Sequence, residues 1–174
     1  MSRHAVRAAA AGAVALLAGL LTAPSASADI RTFPDVSGHI TGVRVSHGPS
    51  TLGITAYDTE MTLGTYYYFW VDTNSTNPGP EYKVEVYPNS DGIFFKRVGN
   101  FASRGVTVRC RGLRAIADVF GEDYAKVIIP RSCIGEPSRV RVAVVGYYQE
   151  DDDRRIDVVD WAPGEERFYP WVNR

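Results

Sequence analysis

Thr65-Tyr66-Tyr67-Tyr68-Phe69-Trp70-Val71-Asp72, followed past Gly79-Pro80 by Tyr82-Lys83-Val84-Glu85-Val86-Tyr87, has the pattern of two strands joined by a turn. In the second run Tyr82, Val84 and Val86 alternate with Lys83, Glu85 and Tyr87. A period of two is that of an extended strand, whose successive side chains point to opposite faces. The first run carries large rings on both faces, with Tyr66, Tyr68 and Trp70 on one and Tyr67, Phe69 and Val71 on the other. Aromatic and β-branched residues favour strands. One of these faces must be core. The other is either a stacking platform or further core under a neighbouring loop.

The same alternation extends in both directions. Ile40 to His47, Thr51 to Tyr57, Ile93 to Val98, Val106 to Cys110, Arg114 to Phe120, Ala125 to Ile129, Arg139 to Tyr148 and Ile156 to Val159 all read as short strands. Turn residues separate them, as at Asn89-Ser90-Asp91-Gly92 and Gly121-Glu122-Asp123. About ten short strands at this spacing, with little helical periodicity, predict an all-β chain folded as a single antiparallel β-sandwich.

Residues 1–28 read as a signal peptide. Arg3, His4 and Arg7 precede an uncharged run from Ala8 to Leu21, and Ala26-Ser27-Ala28 supplies the small residues of a cleavage site. That run has 14 residues, against roughly 20 for a membrane-spanning helix. Cleavage after Ala28 leaves 146 of the 174 residues, 29–174, as one domain. Losing Arg3 and Arg7 shifts the net charge from −1 to −3. No Lys/Arg block stands out, so neither a nucleic-acid partner nor a membrane span is expected. The expected location is extracellular. There, Cys110 and Cys133, the only two cysteines, are expected to form one disulfide. A reactive thiol pair is the alternative, but it needs a close spacing such as C-x-x-C.

The catalytic inventory is thin. His39 and His47 are the histidines beyond residue 28, and both are expected to lie at strand ends in contact with solvent. Ser46 and His47 are adjacent and therefore point apart on a strand. There is no G-x-S-x-G elbow. A zinc site lacks ligands. A haem site would need a pairing of His39 or His47 with Met61. The chain is therefore expected not to be an enzyme. A hydrolase using an acidic pair, or a haem-binding domain, ranks last.

Two sets of residues are candidates for binding. Asp72, Asn74, Asn77 and Glu81 offer the oxygens that a structural calcium would take, the one cofactor in view. The competing reading is an Asx turn, with Asp72 accepting backbone N–H groups. The acidic run Glu150 to Asp153 reads as a solvated hairpin tip. Trp70, Tyr147, Trp161 and Trp171 are the candidate ligand-binding aromatics. The segment 161–174, rich in Pro, Trp and Tyr, is expected to lie as a strap over one sheet or to stand up as a binding platform.

Trp70-Val71-Asp72-Thr73 and Gly79-Pro80-Glu81-Tyr82 resemble the strand-turn-strand of the DOMON superfamily and of family-9 carbohydrate-binding modules. Asp35-Val36-Ser37-Gly38-His39-Ile40 and Val127-Ile128-Ile129-Pro130 are similar to further elements of those sandwiches. The likeness spans Asp35 to Val145 and also resembles small secreted actinobacterial proteins. It implies a jelly-roll-like sandwich with a binding role, for sugars or haem, and carries no ligand residue across. The leading expectation is a secreted, non-catalytic module for carbohydrate. An extracellular protein-protein interaction or inhibitor role is the runner-up.

Overall fold

The computed structural model describes residues 27–88, 92–149 and 156–174. The segment expected to be a signal peptide lies almost wholly outside the described residues, as do Asn89 to Asp91 and the acidic run Glu150 to Asp153. The chain is all-β. Its strands are β1 (Asp29–Pro34), β2 (Ile40–His47), β3 (Thr51–Asp58), β4 (Thr65–Asp72), β5 (Tyr82–Val86) and β6 (Ile93–Arg97). They continue with β7 (Val106–Thr107), β8 (Arg114–Asp118), β9 (Tyr124–Pro130), β10 (Arg139–Gln149), β11 (Ile156–Ala162) and β12 (Val172–Asn173).

All ten expected strands are present, and β1 and β12 are additional. β1 escapes the alternation because its one inward ring, Phe33, is brought in by pairing with β2 and by stacking on Tyr169 at 4.7 Å. β12 is two residues long and exists only through its ladder with β10.

The strands form two antiparallel sheets. The first runs β1-β2-β3-β9-β8; the second runs β11-β10-β4-β5-β6-β7, with β12 also on β10. Between them lies the apolar core. Val43, Val45, Leu52, Ile54, Val127 and Ile129 of the first sheet meet Tyr67, Phe69, Val71, Val84, Val142 and Val144 of the second. This arrangement buries the alternate residues of each strand, each large side chain contributing about 1.5–3 kcal/mol. It also answers the two-faced strand β4: its Tyr67 face is the core.

Polar ties pin the two layers. The Tyr67 hydroxyl donates to Asp58 Oδ2 at 2.6 Å, and the Ile40 amide donates to Asp160 Oδ2 at 2.8 Å. Burial raises the pKa of Tyr67, and Asp58 adds to the rise. Cys110 and Cys133 are disulfide-bonded, with Cα atoms 5.5 Å apart. The bond joins the chain beyond β7, at the edge of the second sheet, to the 3-10 turn Arg131–Ile134 that follows β9 of the first.

The histidine expectation is half corrected. His39 is partly exposed beside Glu60, but His47 is fully buried. Its Nδ1 lies 3.4 Å from the Val172 carbonyl, because β12 docks over the end of β2. Burial lowers the His47 pKa, opposed by that backbone contact.

Candidate functional site

The outer face of the second sheet departs from what a sandwich surface ordinarily shows. Pairing of β4 with β5 sets Tyr68 opposite Glu85 and Trp70 opposite Lys83. Pairing of β5 with β6 sets Lys83 opposite Lys96. On the other side, β10 sets Ala143 opposite Trp70, Val145 opposite Tyr68 and Tyr147 opposite Tyr66. A second apolar cluster results, outside the core, in which Trp70, Ala143 and Val145 are buried against Tyr68, Phe101, Tyr147, Trp161 and Phe168.

Beside the cluster this face buries Lys83, 5% exposed, and Glu85, 3% exposed, and further along β4 it also buries Asp72. Both ammonium groups of the site converge on one oxygen. Lys83 Nζ lies 2.8 Å and Lys96 Nζ 2.7 Å from Glu85 Oε1. The triad therefore carries two formal positive charges against one negative. Lys83 Nζ also stands 4.5 Å from the Tyr68 ring centre and 4.8 Å from that of Trp70. A cation over an aromatic face recovers part of its lost hydration.

A cavity of about 370 Å³ opens over this group, with Tyr68, Trp70, Lys83, Lys96, Phe101 and Tyr147 among its walls. Phe101, from the β6–β7 loop, meets Trp70 edge-on at 5.2 Å and Trp161 edge-on at 5.7 Å. A slab of tyrosines borders it: Tyr66 stacks on Tyr87 at 5.1 Å and on Tyr147 at 5.2 Å. The Tyr87 hydroxyl lies 3.4 Å from Glu85 Oε2, as a donor, and 3.5 Å from the Tyr68 hydroxyl. Burial pushes the Tyr147 phenol up to about 12, with Tyr68 and Glu85 adding to the rise. Burial likewise raises Tyr66, Tyr68 and Tyr87. These phenols are neutral at physiological pH, each able to donate and accept one hydrogen bond or more. The indole Nε1 of Trp70 is buried with no hydrogen-bond partner among the described residues.

Of the four aromatics singled out from sequence, Trp70, Tyr147 and Trp161 come together here. Trp70, 2% exposed, is a floor rather than an open platform. Trp171 lies apart, with the Arg139 and Arg141 guanidinium groups each 4.9 Å from its ring centre. The segment 161–174 packs down: Phe168 joins the outer cluster, and Tyr169 enters the core. Tyr68 was read only as a neighbour of Trp70 on one face of the aromatic strand, and sequence reasoning assigned no role to Lys83, Glu85, Tyr87, Lys96 and Phe101. The legible signal was the setting of Lys83 and Glu85 on the same face as Tyr87, beside a strand with rings on both sides.

The four candidate metal ligands surround the β4–β5 turn, and the oxygens of Asp72, Asn74 and Glu81 are engaged by protein groups. Asp72 Oδ1 accepts the Asn74 N–H at 2.8 Å, and its Oδ2 accepts Arg141 Nε at 2.6 Å. Asn74 Oδ1 accepts from the Thr76 amide and hydroxyl. Glu81 Oε2 accepts the Thr73 N–H at 2.8 Å, and its Oε1 accepts Asn77 Nδ2 at 3.2 Å. Burial raises the Glu81 pKa, the Thr73 amide opposes this, and Asp72 adds to the rise. Among the described residues no group of three or more His, Cys, Asp or Glu is placed to hold a metal ion.

No helix among the described residues is long and apolar enough to cross a membrane. Comparison with family models, curated proteins and solved structures finds no match to this chain.

Proposed function

We propose that this chain is an exported, non-catalytic binding module for carbohydrate, held on the outer face of the second sheet. The observation that carries the reading is the cavity in which Tyr68, Trp70 and Phe101 stand beside the Lys83–Glu85–Lys96 triad. A sugar presents apolar C–H faces and a rim of hydroxyls. Aromatic walls with a few fixed polar groups complement both. Glu85 and the neutral phenols of Tyr68, Tyr87 and Tyr147 supply acceptors, and the two lysines supply donors. The N-terminal sequence and the disulfide support export. The resemblance of Trp70 to Thr73 and Gly79 to Tyr82 to carbohydrate-binding sandwiches points the same way.

A protein partner is the second reading, favoured by exposed apolar residues on the sheet edges, among them Val106 on β7 and Ile116 on β8. Calorimetric titration of the purified protein with a panel of soluble oligosaccharides tests the proposal. The expected result is binding by at least one sugar, weakened at least tenfold by Tyr147→Ala. Failure of every sugar to bind would remove the carbohydrate reading and leave the protein partner.

A further inference from the structure

A second cavity, of about 510 Å³, lies at the other side of the β6–β7 edge, beside the disulfide. Arg97, Arg109 and Arg111 line it together with Tyr82, Phe95 and Ser132. No carboxylate among the described residues lines it. None of the three arginines forms an ion pair among the described residues. From Arg97 to Arg114 the chain carries five arginines and no Asp or Glu, inside a sequence whose net charge is −1. Like charges gathered around one cavity repel one another unless an anion sits among them.

The gathering is imposed by the fold. Cys110 packs toward the core and is tied to Cys133, so Arg109 and Arg111 on either side of it are turned outward. Arg97 ends β6, opposite Tyr82 of β5 and Val106 of β7. Tyr82 and Phe95, stacked at 5.4 Å, give the cavity an apolar wall.

We propose that this cavity binds the anionic groups, carboxylate or sulfate, of an acidic polysaccharide. Guanidinium is permanently charged, and its planar fork matches the paired oxygens of these groups. A cavity of this size takes a ligand of one or two sugar residues, and the Tyr82–Phe95 wall faces the apolar side of such a ring. Three arginines in one cavity are too short a track to follow a nucleic-acid backbone, whereas an acidic sugar needs only one or two of its anionic groups seated there. The identity of the polymer rests on the carbohydrate reading above; the anion site does not.

The test is titration of the purified protein with polygalacturonate, dextran sulfate, neutral dextran and single-stranded DNA. Polygalacturonate or dextran sulfate should bind, neutral dextran should not, and affinity should fall as salt rises. Arg109→Gln with Arg111→Gln should weaken that binding at least tenfold with an unchanged melting temperature. Arg31→Gln with Arg44→Gln, which removes the same charge from the first sheet, should leave it within twofold. Equal losses in the two double variants would reduce the effect to overall charge and overturn the site. No binding by either acidic polymer would overturn it too. DNA bound as tightly as the polysaccharides would overturn the choice of ligand. None of these outcomes depends on Tyr147, so failure here is distinguishable from failure of the outer-face proposal.

Discussion

Replacing Glu85 by Ala removes the one carboxylate that two ammonium groups share. Lys83 is 5% exposed and has no room to turn to water without leaving the ring faces of Tyr68 and Trp70. Removing one partner of a buried ion pair costs about 3–5 kcal/mol, because the other charge is left uncompensated. The Lys96 side chain, 21% exposed, can swing outward, which places the expected loss near the lower end, about 3 kcal/mol. For a chain of this size that lowers the melting temperature by about 6–12 °C. Urea unfolding is the assay, with the loss read from a shifted midpoint at unchanged slope. The sharper arm is Lys83→Met combined with Glu85→Ala. With the stranded cation gone, the double variant should be more stable than Glu85→Ala alone by about 1 kcal/mol or more. A Glu85→Ala cost under about 0.5 kcal/mol, the range of a solvated pair, would refute the claim that these charges are buried and interdependent.

Cys110→Ala with Cys133→Ala should destabilise the protein by about 3 kcal/mol from loop entropy, checked by urea unfolding; a loss under about 1 kcal/mol would mean the bond is dispensable. Because burial lowers the His47 pKa, the folded state favours the neutral ring. That contribution is complete above pH of about 6.5 and is lost as pH falls through the folded-state value. The slope of stability against pH just below 6.5 should therefore flatten in His47→Gln, and an unchanged slope would exclude His47 as its source. The raised phenols of Tyr66, Tyr67, Tyr68, Tyr87, Tyr147 and Tyr169 oppose ionisation in the folded state. Stability should fall as pH rises above about 10, where the unfolded chain starts to release those protons. Absorbance titration should show a second group of tyrosines ionising only with unfolding, and ten ordinary titrations would contradict their burial. Excess calcium and chelator should give the same melting temperature, since the oxygens of Asp72, Asn74 and Glu81 are already hydrogen-bonded; a rise with calcium would mean that they turn to the ion.

The strands were legible because each inward face repeats at a spacing of two, as in Val140, Val142 and Val144 of β10. The disulfide was legible from cysteine number and setting. β12 was not, since two residues carry no period and its pairing is supplied by β10. His47 was misplaced for the same reason: what buries it is the distant Val172, beyond the reach of local pattern. The outer face was half legible. Trp70, Tyr147 and Trp161 stood out as rings, whereas Lys83 and Glu85 read as the solvent side of an alternating strand. Only the register of β4, β5 and β6, together with Phe101 from a loop, turns that side into a cavity. The arginine cavity escaped because the arginines from Arg97 to Arg114 alternate with apolar and small residues, and only the pairing of β5, β6 and β7 and the disulfide bring Arg97, Arg109 and Arg111 round one cavity.

If the outer face of the second sheet is the ligand surface, amide chemical shifts followed during titration with the best-binding neutral oligosaccharide will map to it. The largest shifts should fall on Tyr68, Trp70, Lys83, Lys96, Phe101 and Tyr147. Shifts concentrated on the first sheet, or on Arg97, Arg109 and Arg111 with the outer face unmoved, would contradict it.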